Sequence, residues 1–421
     1  MVSGQPNVRV TTPAGRRGLG TVYWRFWTTA GLSNLADGVL KIALPLVAIG
    51  FTRSPVLIGG LAFTFTLPWL LFALPSGAIV DRFDRRRLML GANLVRTAVL
   101  AAVVLALLFH RGSIWALYGV AFCAGSAETI YDNAAQSVVP QVVSSDQLVR
   151  ANGRMFGAQL TANELAGPPL AGVLVAASAA VALGTPVALW VLALAVLVFV
   201  RGSFRTERDP ATRATLRADI VEGIRFFLHN RLLRVFAILG GAFNIASSAT
   251  QAILVLYAVG STSVLALNEQ GYSLLVATIA AGSLVGSFLA EQVTRILGRA
   301  RTLTLSFLAG ALLISLPAVT TNPYLIGAAF FVGGIGVVIA NVVVLSLRQR
   351  ITPPQMLSRV NSGTLLITWG TKPLGAAAGA VLAQLFGLRA VFVIMGVVSF
   401  AALAGMTRVT DRAMDAAEQA R

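Results

Sequence analysis

Gly77-Ala78-Ile79-Val80-Asp81-Arg82-Phe83-Asp84-Arg85-Arg86-Arg87 is the stretch on which the fold turns. It joins two apolar runs, near 56–80 and 88–109. Each reaches the roughly 20 residues that a helix needs to cross a bilayer. Between them the polarity reverses abruptly: a glycine, which lets a neighbouring helix come close, then an aspartate, then a dense arginine cluster. A connection this short and this basic is a membrane re-entry loop, and arginines in such loops mark the cytoplasmic side.

Ten more apolar segments lie on either side of this pair, near 24–50, 113–139, 148–176 and 179–200, and then 233–259, 271–294, 302–319, 323–347, 357–386 and 389–407. The chain therefore reads as an all-α membrane protein with twelve transmembrane helices, numbered here as segments 1 to 12. Composition agrees: 56% of its 421 residues are hydrophobic and 12% charged, against about 25% charged in a soluble domain. The net charge of +17 comes from arginines dispersed among short loops, not from a basic face, so nucleic acid is not expected as a partner. The lipid bilayer is.

Basic residues alternate from loop to loop. Arg82, Arg85, Arg86 and Arg87 follow segment 2, Arg150 opens segment 5, and Arg295, Arg299 and Arg301 follow segment 8, whereas the opposite loops hold only Arg53, Arg111 and Arg389. The positive-inside rule then places both termini in the cytoplasm, with an inner-membrane, multi-pass location. Residues 1–20 lack an apolar core and read as a disordered cytoplasmic tail, and 408–421 as a second tail. The break at 201–232 is arginine-rich, with Ile220, Ile224 and Phe227 at helical spacing, and reads as an amphipathic cytoplasmic linker. It divides an N-terminal six-helix bundle, 21–200, from a C-terminal one, 233–407.

The two bundles carry a common pattern. Gly77 and Gly286, Ser137 and Ser346, Leu148 and Leu357, Arg150 and Arg359, and Asn152 and Asn361 all match at one offset of 209 residues. That offset lays segment 2 on segment 8 and segment 5 on segment 11, as a parallel six-plus-six repeat requires. Ser144 with Gln147 and Thr352 with Gln355 have capping-box spacing ahead of segments 5 and 11.

With these residues in place, the Gly77 to Arg87 loop resembles the signature loop of the major facilitator superfamily. The resemblance implies a cytoplasmic latch of Gly77, Asp81, Arg82, Arg85, Arg86 and Arg87, with Asp81 meeting the start of segment 11. The corresponding stretch after segment 8, with Gly286 and Glu291, is degenerate. Segment 5 contains Ala162-Asn-Glu164-Leu-Ala-Gly167-Pro168-Pro169-Leu-Ala-Gly172, similar to the glycine-proline element of the proton-coupled antiporters in that superfamily. Small residues there permit tight packing and the prolines bend the helix, so Gly167, Pro168, Pro169 and Gly172 form an expected packing element. Asp132 to Pro140 and Val221 to Phe227 resemble the branch that contains macrolide efflux pumps and the enterobactin exporter. The resemblance implies secondary transport, outward and coupled to protons.

Only two of the 33 basic residues are lysines, Lys41 and Lys372, and both lie inside apolar segments. Asp37, Glu128, Asp132 and Glu164 lie inside such segments too. Four acids face two amines, and each charge at bilayer depth costs from about 3 kcal/mol upward unless it is paired or hydrated. Surplus carboxylates are therefore candidates for carrying protons. Asp37 and Lys41 share a helix face, as do Glu128 and Asp132. The expectation is a cleft with Asp37 as leading proton carrier, Lys41 as its local counter-charge and Lys372 as a partner from the other half. Trp369, one turn before Lys372, is a candidate aromatic wall. Arg96 is expected to snorkel or support the latch, and Trp24, Trp27, Trp69, Trp115 and Trp190 to form an interfacial belt.

No enzyme is expected. The chain lacks a phosphate-binding Gly-x-x-x-x-Gly-Lys loop, His110 and His229 are far apart, Cys123 is the single cysteine, and no metal-ligand spacing occurs. No cofactor or metal follows from the sequence. The reading is a monomeric exporter of amphipathic, drug-like small molecules in exchange for protons by alternating access. A dedicated siderophore exporter, a lysophospholipid flippase and a non-transporting membrane sensor are the alternatives.

Overall fold

The computed structural model describes residues 18–144, 147–200, 202, 204, 230–352, 357–406, 410–412 and 414–415. Residues 1–17 and 205–229, which include most of the expected N-terminal tail and most of the expected linker, lie outside the described residues. Twelve helices follow one another in the order of the twelve apolar segments. They are α1 (Gly20–Ala48), α2 (Pro55–Arg82), α3 (Arg85–Leu108), α4 (Ile114–Val142), α5, α6 (Ala179–Val198), α7 (Arg231–Ala258), α8 (Glu269–Leu297), α9 (Arg299–Val319), α10 (Pro323–Ile351), α11 (Leu357–Phe386) and α12 (Leu388–Gly405). Helix α5 has three parts: Leu148–Gln159, the π-helical turns Leu160–Ala166, and Gly167–Ala177.

Local chemistry sets the ends. Asp84, Ser113, Ser178, Asn230, Asn268 and Asn322 accept backbone N–H bonds at the starts of α3, α4, α6, α7, α8 and α10, which satisfies donors that have no partner within the helix. Pro55 and Pro323 stand in first turns, where the missing N–H costs nothing. The expected capping box at Ser144 does not start α5. Its N-cap is Gln147, which makes no side-chain capping bond.

Among the described residues, nine of these helices are long and apolar enough to cross a membrane. Helices α4, α5 and α11 carry Glu128 and Asp132, Glu164, and Lys372.

The packing repeats. In the first half α1 lies on α5 and α6, α2 on α4, and α3 on α4 and α6; in the second α7 lies on α11 and α12, α8 on α10, and α9 on α10 and α12. Each contact maps to its counterpart six helices on, as a parallel duplication demands. The halves meet along two seams, α2 on α11 and α5 on α8, which the same operation exchanges. Small residues bring the backbones together: Gly59 faces Ala380 across one seam and Gly172 faces Ser273 across the other.

Both of these contacts lie toward the end of the molecule where α1 meets α2 and α7 meets α8, called here the far end. There a single hydrophobic core runs through both halves, joining Leu44, Val47 and Ala48 to Leu254, Tyr257 and Val259. At the opposite, arginine-rich end the halves have separate cores, one around Phe26, Met89 and Leu197 and the other around Phe236, Leu303 and Met406. Among the described residues, the two bundles share one core at the far end and form separate clusters at the basic end.

At the basic end, a segment following each half folds back over that half. After α6, the Phe204 N–H donates to Asp84 Oδ2 at 2.7 Å, its carbonyl accepts from Arg85 Nη1 at 3.2 Å, and its ring meets Phe26 edge to face. After α12, Asp411 Oδ1 accepts the Ala300 N–H at 2.9 Å, Asp415 pairs with Arg299, and Met414 is fully buried. The first half supplies the acid from its own α2–α3 loop. The second has Gly298 at that N-cap and takes its acid from beyond α12.

Candidate functional site in the central cleft

Asp37 sits on α1 just before Gly38, and Gly38 is where α1 and α5 cross. A Cβ added to Gly38 would lie 2.4 Å from the Asn163 carbonyl oxygen, and one added to Gly167 would lie 2.6 Å from Gly38 C. Glycines on both helices let the backbones touch. Asn163 belongs to the π-helical turns of α5, whose extra residue shifts the helix face and turns Glu164 toward α1.

Two ion pairs result, and they differ in kind. Glu164 Oε1 accepts from Lys41 Nζ at 2.8 Å, with the two side chains 45% and 46% exposed. Asp37 Oδ1 accepts from Arg96 Nη1 at 2.7 Å, with Arg96 0% exposed and Asp37 8%. The guanidinium is sandwiched, its carbon 4.9 Å from the ring centres of both Tyr131 and Trp190, and it also donates to Asn93, which is hydrogen-bonded to Ser33 of α1. Cation–π contact and a charge-assisted bond together hold this fully buried arginine.

This corrects three sequence expectations. Lys41 is not the ion-pair partner of Asp37, although they share a face. Arg96 does not snorkel but is buried and paired with Asp37. Trp190 is wholly buried against Arg96 and belongs to no interfacial belt. An arginine inside segment 3 with no acid on its own helix was the available signal, since such a charge requires a partner.

The remaining charges converge on the same region. Glu128 is within electrostatic range of Asp37, Asp132, Arg96 and Lys41, and Lys372, from the other half, within range of Lys41, Glu164 and Glu128. Asp132, one turn from Glu128, is also within range of Asp37 and Arg96. The side chain of Trp369 lies outside the described residues.

The basic loop is only partly described. The surroundings of Gly77 and the side chain of Asp81 lie outside the described residues, as do the side chains at the start of α11, so the expected latch contact falls there. Arg82 and Arg87 are exposed. Arg86 donates to the Leu197 carbonyl at 3.2 Å and the Val198 carbonyl at 2.9 Å, while Arg85 holds Phe204. Arg86 thereby neutralises the unsatisfied end of α6, and Arg85 holds the segment beyond it, both within their own half. Of the packing element in α5, Gly167 and Pro168 are buried, Pro169 is half-buried, and Gly172 meets Ser273 of α8.

The Transmembrane secretion effector family of the major facilitator superfamily matches residues 19–421. The chain belongs to this family. As a major facilitator protein it is a multi-pass membrane transporter, whose family implies small-molecule substrates. It is 27% identical to the multidrug efflux pump Tap of Mycolicibacterium fortuitum over 387 residues, covering 86% of this chain and 89% of that one. It is 22% identical over 383 residues to macrolide efflux protein A of Streptococcus pyogenes, covering 89% and 92%. Among solved structures, the nucleoside transporter NupG superposes with a TM-score of 0.71 at 11% identity, covering 92% of this chain and 100% of that chain. A bacterial homologue of the iron transporter ferroportin, in an inward-facing state, gives a TM-score of 0.71 at 17% identity, covering 92% and 98%. The two solved structures share the fold.

Proposed function

We propose that this transporter exports amphipathic, drug-like small molecules by alternating access in exchange for protons, as a monomer in the cell inner membrane with its basic end in the cytoplasm. The observation that carries this reading is the Lys41–Glu164 pair: two opposite charges half exposed in the interior cleft, with Lys372 of the other half within range. A carboxylate that water can reach is one a proton can reach. Ionised, Glu164 holds Lys41 and attracts Lys372, or accepts a cationic group of a substrate. Protonated from the acidic exterior, it lets go of whichever it held. Substrate and proton then compete for one oxygen pair.

The lead in proton coupling accordingly passes from Asp37, which is engaged by Arg96 behind the cleft wall, to Glu164, with Glu128 as its neighbour. The efflux relatives support a drug-like substrate, and the core shared at the far end supports a state open toward the cytoplasm. In a pump-deficient host, the expected result is resistance to several amphipathic compounds, lost in Glu164→Gln. Proteoliposomes should show proton movement on substrate addition. A lone siderophore secretion defect would replace this reading with a dedicated exporter, and lysophospholipid translocation without drug efflux would replace it with a flippase. If nothing is transported, a sensor on the same fold is the better account.

A further inference from the structure

The far end carries one polar contact between the halves that the cleft reading does not use. Arg53, in the short connection between α1 and α2, extends Nη1 to the Val259 carbonyl at 2.7 Å, beside Gly260. Val259 is the C-cap of α7, where carbonyls have no partner within the helix and the helix dipole is negative. A cation is the group such a site holds.

The acceptor is rigidly mounted. Val259 bridges to Leu267, the Gly260 N–H donates to the Leu267 carbonyl at 3.0 Å, the Leu267 N–H donates to the Ala258 carbonyl at 2.8 Å, and Ser263 Oγ closes the turn onto the Gly260 carbonyl at 2.8 Å. Leu265 and Leu267 pack into the core that crosses the halves. Gly260 has φ +105°, and a Cβ there would lie 2.5 Å from Arg53 Nη2. The glycine is required twice, by its backbone angle and by the guanidinium that occupies the side-chain space.

We infer that Arg53 and the Val259–Gly260 corner form the far-side gate: the guanidinium locks α7 of the second half to the α1–α2 connection of the first, and it must leave before the far end opens. The inference rests on alternating access as proposed above. It concerns the exit side, whereas Glu164 and Lys41 lie in the cleft. The apolar core beneath supplies most of the seal, and Arg53 sets which partner contact breaks first.

The test uses the full chain in native membranes with Cys123→Ala and a reporter, Ala48→Cys, at a position wholly buried in the far-end core. A membrane-impermeant maleimide is applied from the far side. Arg53→Gln should raise the labelling rate roughly two- to tenfold, the population change expected from losing one helix-end cation. Gly260→Ala should raise it similarly by displacing the guanidinium, and the double variant should label no faster than either alone. Unchanged labelling in Arg53→Gln would overturn the gate. So would additive effects, which would attribute the opening to loop distortion. Labelling reads the gate without reference to cargo, so a chain that exports no drug yet shows these rates would lose the export reading and keep the gate.

Discussion

Asp37 Oδ1 and Arg96 Nη1 lie 2.7 Å apart, both buried. Lys41, one turn along α1 from Asp37, is half exposed and bonded to Glu164. One face of one helix thus presents a buried pair and a half-exposed pair, and their responses to substitution should separate.

Arg96→Met should destabilise strongly. Removing one partner of a buried pair leaves the other uncompensated, at a cost of about 3–5 kcal/mol, and Tyr131 and Trp190 lose the cation between them. Asp37→Asn added to Arg96→Met should recover much of the loss. Thermal unfolding of purified protein in detergent gives the cycle; equal losses in the single and double variants would contradict a buried pair.

Glu164→Gln should behave in the opposite way. A pair this exposed contributes only about 0–1 kcal/mol to stability, so the unfolding temperature should barely move while uphill drug export disappears. Lys41→Gln should retain some export if Lys372 can serve Glu164. A large fall in stability for Glu164→Gln would make the pair structural.

Gly38→Ala should damage both folding and transport, because the new Cβ would meet the Asn163 carbonyl oxygen at 2.4 Å and force α1 from α5. Overpacking of this kind costs about 1–3 kcal/mol. Gly31→Ala is the control on the same helix. Nothing stands within 4 Å of its Cβ, and alanine favours a helix by about 1 kcal/mol over glycine, so expression should hold or rise. Comparable yields for the two variants would show that the crossing tolerates a wider spacing.

Asp411→Asn should weaken the start of α9 by about 0.5–2 kcal/mol, the range for losing a helix N-cap, and Met414→Ala by about 2–5 kcal/mol, the range for emptying a buried site of that size. Hydrogen exchange at the α9 N-terminus checks both. Exchange rates that match the parent would detach the segment after α12 from the fold.

Helix positions were legible because a membrane helix writes itself as a long apolar run, and the duplication was legible because five residues kept one spacing. Partners across helices were not. Asp37 and Lys41 at a spacing of four looked like a pair, yet the π-helical turns of α5 redirect Glu164, and no periodicity announces a local change from 3.6 residues per turn. Trp190 lay near a segment end, which suits a belt and a buried stack equally well until the neighbouring helix is known. The acid that caps α9 was invisible for a related reason, since Gly298 occupies its place in the loop and Asp411 supplies it from elsewhere.

That substitution has a temporal side. The Ala300 N–H and Asp411 are 111 residues apart, and a ribosome delivers the helix well before the residue that caps it. The first half, with Asp84 at hand, can close its α2–α3 turn within its own six helices and Phe204. The second must wait with the start of α9 uncapped through the insertion of three more helices. A stall or cleavage after α12 but before Asp411 leaves a bundle with all its spans in the membrane and its α8–α9 turn still unfinished, which is the species that membrane quality control would meet.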